Sequence, residues 1–335
     1  MAKKIKQYSD QKPYQIAPTP DVAHLPKVKG YNFDDEFDFK KFLNSYATTG
    51  FQASNISRGI DICKEMQKSN STIFLGYTSN MVTSGVRDII RFLVQHKLVH
   101  ALVTTGGGIE EDIIKVLKPF HIGVFNVSGR SLFEKGINRA GNVFIPNDRY
   151  LYFEKFINPF LDRLYKEQKK DIVHSSLDIT RELGKEISKE KNFDESILYW
   201  AYKNNIPVFC PAIMDGSFGD LVYFMKQRNP DFMIDITKDS KVIIDLALNA
   251  EKSSAIILGA GVIKHFILNA NIFREGLDYA VYINTSEEYD GSDSGATAEE
   301  AMSWGKVNIK ADYVKIHADA TIVFPLIVAG AFEKN

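Results

Sequence analysis

A lysine attacks carbon only as the neutral amine, so a nucleophilic lysine must be desolvated or set among cations to bring it down from about 10.4. Lys306 follows Gly305 and lies two residues after Trp304. Most lysines so placed are merely exposed, and spacing alone leaves both readings open. Glu300 and Trp304 are i and i+4 on a predicted helix, which puts a carboxylate and an aromatic ring on one face. That pair suits an alkylammonium group, which wants charge for its nitrogen and a ring face for its methylenes. Taken alone, it reads more simply as a core tryptophan and a surface acid. His265 opens a predicted helix after a glycine turn, where the positive helix end favours a neutral imidazole able to accept a proton. A lone histidine there is more often structural. The run from Glu287 to Gly295 crowds acids and small residues between a strand and a helix without calcium-loop spacing, so it suits a cation other than a metal.

Two glycine-rich turns, Thr104-Thr105-Gly106-Gly107-Gly108 and Gly259-Ala260-Gly261, each follow an apolar run. Glycine there lets backbone amides approach a phosphate or ribose and hand it to a helix amino end. Neither turn completes the dinucleotide fingerprint, because Glu111 and Lys264 stand in the third glycine's place. Each alone is at least as well a plain tight turn, but two on one sheet strengthen the case for a nucleotide. Glu110, Glu111 and Asp112 are read as opening the helix after the first turn, where acids complement the helix dipole whatever the function.

These residues need a frame, and an alternation of apolar runs with helical segments supplies it. Runs rich in valine and isoleucine span Thr72 to Tyr77, Val99 to Val103, Pro207 to Pro211, Ala255 to Leu258, Tyr279 to Asn284 and Thr321 to Val328. Helical periods fill Gly85 to Lys97, Ile109 to Leu117 and Lys238 to Asn249, and one or two helices precede them between Phe37 and Gln67, broken near Gly50. The pattern predicts an α/β fold: a doubly wound, mainly parallel, Rossmann-like sheet with helices on both faces. Ligands in such sheets sit beyond the carboxyl ends of the strands, at a topological switch point. Residues 1–35, interrupted by Pro13, Pro18, Pro20 and Pro26, are read as an extended N-terminal arm, and 36–335 as a single domain. The charged stretch Arg163 to Lys170 is expected to end a helix on a solvated surface.

The 335 residues, 44% hydrophobic, are enough for a full core. Lysines and arginines (41) balance aspartates and glutamates (42), which argues against a global field for nucleic acid or an anionic membrane. Cys63 and Cys210 stand far apart, suggesting neither a disulfide framework nor a metal site, as expected for a cytoplasmic protein. No apolar run approaches about 18 residues, so a membrane span or secretion signal is not expected.

Taken together the segments resemble deoxyhypusine synthases. The resemblance is carried by GYTSNMVTSGVRDIIRFLVQHKLVHALVTTGGGIEED, IPVFCPAIMDGSFGD, LGAGVIKHFILNANIFREGLDYAVYINTSEEYDGSDSGA and AMSWGKV, in that order. The Ser-Trp-Gly-Lys and Asp-Gly-Ser-Asp-Ser-Gly-Ala segments are not generic to nucleotide folds. This chain has Gly106 where relatives often have alanine, Ala260 where they have glycine and Phe266 where many have a second histidine.

What the resemblance implies is a transferase that uses NAD and spermidine. Spermidine gives up a hydride to NAD, Lys306 attacks the resulting imine, and 1,3-diaminopropane departs. The aminobutyl group then passes to a lysine of the translation factor 5A precursor and is reduced by the same NADH. By the same matching His265 resembles the general base. The implied spermidine contacts are Glu111, Asp220, Asn269, Tyr282, Asp293, Glu300 and Trp304. The implied NAD contacts are Ser79, Asn80, Thr105, Gly106, Asp215, Gly261, Thr285, Ser286, Asp290, Gly291, Ala318 and Asp319. The resemblance also implies a homotetramer, a dimer of dimers with each active site shared across a dimer interface, and an N-terminal arm that covers another subunit's site. Two other readings stay open: a homospermidine-synthase-like transfer to putrescine, and a silent subunit that activates a catalytic partner. A sirtuin-like deacylase is set aside, because two lone cysteines cannot make a four-cysteine zinc site.

Overall fold

The computed structural model describes residues 21–332. Pro13, Pro18 and Pro20, on which the reading of an extended arm partly rests, lie outside the described residues. Residues 21–38 form neither helix nor strand. Lys29 ties this stretch down: its N–H donates to Thr48 O at 3.0 Å, and Thr48 Oγ1 donates to Lys29 O at 2.6 Å. Two helices follow, Phe39–Thr49 and Phe51–Lys68, with the predicted break at Gly50.

The strands are β1 (Thr72–Tyr77), β2 (Ala101–Val103), β3 (His121–Ile122), β4 (Ile137–Ala140), β5 (Val143–Pro146), β6 (Val208–Phe209), β7 (Ser253–Leu258), β8 (Leu277–Asn284) and β9 (Val307–His317). Six form one sheet in the order β6-β2-β1-β7-β8-β9, every neighbouring pair parallel. The chain runs outward from β1 through β2 to β6, then returns to β1's other side with β7, so the order reverses between β1 and β7. A small antiparallel sheet, β3-β5-β4, stands apart.

Successive residues of the parallel strands face two different cores. Ile73, Leu75, Ile256, Leu258, Val281 and Ile283 pack with the helices Phe51–Lys68, Val86–Gln95, Gly106–Leu117 and Ala320–Ala331. Phe74, Ala255, Ile257, Ala280 and Tyr282 pack with Thr237–Leu248 and Val262–Ile272. Burial on both faces is why these strands read as unbroken apolar runs. The doubly wound α/β expectation therefore holds.

One strand was misplaced. Thr321 to Val328 belongs to the helix Ala320–Ala331, whose Asp319 cap accepts from Thr321 N–H at 2.7 Å. A helix apolar nearly all round has no period to distinguish it from a buried strand. The sixth strand is instead β9, an edge strand whose Lys310, Asp312 and Lys315 interrupt any apolar run. The stretch from Arg163 does end a helix, Asp148–Gln168, but Arg163 is half-buried and pairs with Glu167, Glu182 and Glu186 at 3.1–3.4 Å.

Candidate active site

Because the six strands are parallel, their carboxyl ends share one edge, and most of the expected NAD contacts collect there. Ser79 and Asn80 follow β1, Thr105 and Gly106 follow β2, Asp215 follows β6, Gly261 follows β7, Thr285 and Ser286 follow β8, and Ala318 and Asp319 follow β9. Around the β1/β7 reversal a crevice of about 190 Å³ is lined by Thr78, Asn80, Gly259, Thr285, Ser286, Ala318 and Asp319 among others. Hydrogen bonds fix its walls: Thr78 Oγ1 donates to Asn80 Oδ1, Asn284 Nδ2 to Gly259 O at 3.3 Å, and Ser286 N–H to Asn284 Oδ1 at 3.1 Å. The lining is small and rich in hydroxyl, amide and main-chain groups, which fits a ribose-phosphate ligand. Beside it the Ser79 and Thr105 hydroxyls hydrogen-bond, and Gly106 lies so close to the next turn that a Cβ would meet Asp215 O at 2.5 Å. Asp290 and Gly291 lie farther along the exposed loop after β8, where Asp290 accepts from Ser292 N–H at 2.7 Å.

A second group lies on the flank of the helix Val262–Ile272. Lys306 precedes β9, at the strand's amino end rather than at the carboxyl edge, after the short helix Ala298–Ser303 and Gly305, whose φ of 69° is left-handed. Its Nζ reaches His265 Nε2 at 3.2 Å and lies 5.6 Å from the centre of the Trp304 ring. On the far side of the imidazole, Asn269 Nδ2 is 3.1 Å from Nδ1. Trp304 is 66% exposed, which overturns its reading as a core residue, and it caps the short helix rather than lying within it. Glu300, also exposed, sits in that helix's first turn.

Two buried polar atoms here have no protein partner, Asp293 Oδ2 and Tyr282 Oη. An unpaired buried carboxylate oxygen is costly, and an ammonium ligand would satisfy it. Beside them the buried Lys264 donates from Nζ to Asp293 O at 2.6 Å and to Ala296 O at 2.8 Å. Burial holds its ammonium below the ordinary 10.5, with Lys315 and Lys306 acting the same way against Asp293 and Glu300. Sequence reasoning saw Lys264 only as the residue replacing a glycine.

The remaining acids lie near β2 and β6. The helix after β2 begins at Gly106, so Glu110, Glu111 and Asp112 fall beyond its first turn, which corrects their reading as dipole-complementing acids. Each instead holds a neighbour. Glu110 accepts from Phe218 N–H at 3.1 Å, and Asp112 pairs with the buried Arg87 at 2.7 Å. Glu111 accepts from the Thr83 hydroxyl, and burial pushes its carboxyl up to about 7. Asp220 is exposed in the first turn of Ser217–Arg228 and lines a cavity of about 260 Å³ with Tyr150 and Ser217. Among the described residues, no hydrogen bond or ion pair joins Glu111 or Asp220 to the Lys306 group.

A parallel doubly wound sheet with a hydroxyl-lined crevice at its switch point and a separate Lys306–His265–Asn269 cluster on the flank of one helix defines the class, an α/β protein of Rossmann-like architecture. Comparison with known proteins gives the family. A family model described as deoxyhypusine synthase matches residues 41–331. The deoxyhypusine synthase of Musa acuminata is 47% identical over 93% of this chain and 89% of its own length, and that of Arabidopsis thaliana is 47% identical over 91% and 90%. The crystal structure of a deoxyhypusine synthase candidate from Entamoeba histolytica superposes with a TM-score of 0.68 at 32% identity, covering 91% of this chain and 96% of that one. The chain belongs to the deoxyhypusine synthase family, transferases of hypusine biosynthesis. No described helix is long and apolar enough to cross a membrane.

Proposed function

We propose that this chain transfers the 4-aminobutyl group of spermidine, through an imine on Lys306, to a lysine of the translation factor 5A precursor, releasing 1,3-diaminopropane. The observation that carries the reading is the Asn269–His265–Lys306 chain, set beside buried Asp293 and Tyr282 atoms that lack partners. NAD, when bound, supplies the acceptor for the hydride lost by the secondary amine and returns that hydride at the end. Ser79, Asn80, Thr105, Gly106, Asp215, Gly261, Thr285, Ser286, Asp290, Gly291, Ala318 and Asp319 would hold it.

An amide nitrogen can only donate, so Asn269 Nδ2 facing His265 Nδ1 leaves the neutral ring's single proton on Nε2. Nε2 in turn faces Lys306 Nζ at 3.2 Å, close enough for a proton to pass between the two when the lysine acts as a nucleophile. With the amide turned over, Nδ1 carries the proton and Nε2 becomes the base. Asn269 thus sets the direction of proton hand-off between His265 and Lys306. His265 removes the proton of the secondary amine, and Lys306 attacks the electrophilic carbon as diaminopropane leaves. The acceptor lysine then displaces Lys306. Asp293 and Glu300 pair with ammonium groups while Trp304 covers the methylenes.

Glu111 and Asp220 complete the polyamine contacts in this reading. They stand on helices that follow β2 and β6 at the carboxyl edge of the sheet, whereas Lys306 precedes β9 at its amino end, and that placement supports an active site assembled from two copies, as a homotetramer of paired dimers would provide. The test is incubation with NAD and radiolabelled spermidine, offering the translation factor 5A precursor and putrescine separately. Label on the protein factor is expected. Label only in homospermidine would move the acceptor to putrescine, and no transfer would leave a silent subunit.

A further inference from the structure

The loop from Thr285 to Thr297 carries residues assigned above to both ligands, Ser286 and Asp290 on one limb and Asp293 on the other. Its neck is closed backbone to backbone, since a Cβ on Gly295 would fall 1.5 Å from Glu287 O. Two ammonium groups lie against its carbonyl oxygens. Lys315 Nζ, from β9, donates to Ser286 O at 2.9 Å and Gly295 O at 2.7 Å. Lys264 Nζ, from the helix Val262–Ile272, donates to Asp293 O and Ala296 O and lies 5.2 Å from the centre of the Tyr282 ring. Among the described residues neither ammonium forms an ion pair.

A buried ammonium is costly, and an apolar side chain would fill the space of Lys264 without that cost. What an apolar chain cannot do is hold main-chain carbonyls that no helix or strand satisfies. The loop also bears exposed Glu287, Glu288 and Asp290, whose mutual repulsion favours opening it.

We propose that Lys315 and Lys264 are positioning residues, a two-ammonium clamp that fixes both limbs of the 285–297 loop and so sets the cofactor and polyamine sites as one unit. Each lysine grips carbonyls near one end of the loop: Lys315 bridges its two limbs at the neck, and Lys264 holds the limb that carries Asp293. Losing either lets Ser286 and Asp293 move apart, so both ligands weaken together. The kinetic part of this inference rests on the function proposed above, whereas the ordering of the loop does not.

The test compares the full chain with Lys315→Met, Lys315→Gln, Lys315→Arg and, as a control, Lys310→Met, an exposed lysine of the same strand. Backbone hydrogen exchange is followed over residues 286–296, and KM is measured for spermidine and NAD. In Lys315→Met, exchange in the loop is expected to speed up by about tenfold to a hundredfold, the loss of a charged hydrogen bond, with other segments unchanged. Both KM values should rise by about tenfold or more, and Lys315→Arg should recover most of each effect. Lys315→Gln, which keeps donors without charge, should fall between, and it carries the test if the methionine variant does not fold. Unchanged loop exchange would overturn the clamp, as would a rise in one KM alone. A wild-type chain that transfers nothing would refute the proposed function, while loop exchange would still decide the clamp.

Discussion

Glu111 is an acid whose surroundings oppose its charge, and that opposition is measurable. Burial pushes its carboxyl from the ordinary 4.5 up to about 7, against the pull of the Thr83 hydroxyl, with the Glu110 charge adding to the rise. Maintaining the carboxylate there costs about 3 kcal/mol, at about 1.4 kcal/mol per tenfold in the ionisation equilibrium. Because the folded value is raised, the fold retains a proton that the unfolded chain has already lost. The penalty is therefore absent below about pH 4.5, grows between 4.5 and 7, and is complete above about 7. Glu111→Gln removes the ionisation and keeps an acceptor for Thr83. Relative to wild type, the variant should gain about 1 kcal/mol at pH 5 and about 3 kcal/mol at pH 8. Urea unfolding at the two pH values reads both figures. An equal difference at pH 5 and pH 8 would show that Glu111 titrates as an ordinary surface acid, and the burial argument would fail.

Two further outcomes follow from the same geometry. Asp293→Asn replaces a buried, unpartnered carboxylate oxygen with an amide, so spermidine binding should weaken by about tenfold to a hundredfold while NAD binding changes little; calorimetric titration of each ligand checks this, and equal losses would mean damage to the fold. Asn269→Leu removes the amide that orients the His265 ring and fixes its tautomer, so adduct formation should slow by about tenfold or more with KM for NAD unchanged; single-turnover kinetics reads the rate, and an unchanged rate would remove Asn269 from proton control.

How far all this was legible depends on which groups the chemistry uses. β1, β7 and β8 are buried on both faces, so they appear as apolar runs whose ends mark Thr78, Gly259 and Thr285. β9 borders solvent and carries lysines, so no run announces it, while the apolar helix after Asp319 imitates the strand it is not. Lys306 and His265 were singled out by residue type, but they are 41 positions apart, and only the fold brings them within reach. Lys264 and Lys315 stayed silent for a different reason. Their partners are main-chain carbonyls, which every residue carries and no sequence pattern displays. Asp112 and Glu110 likewise serve backbone N–H groups of distant helices, so local position suggested only a dipole role.

The proposed transfer stands or falls on Lys306 Nζ carrying the aminobutyl group. Reduction with borohydride during incubation with NAD and labelled spermidine, followed by peptide mapping, tests it most directly. Label is expected on the peptide containing Lys306 and none in Lys306→Ala, which should still bind NAD. Label on another lysine, or transfer to the protein acceptor by Lys306→Ala, would contradict it.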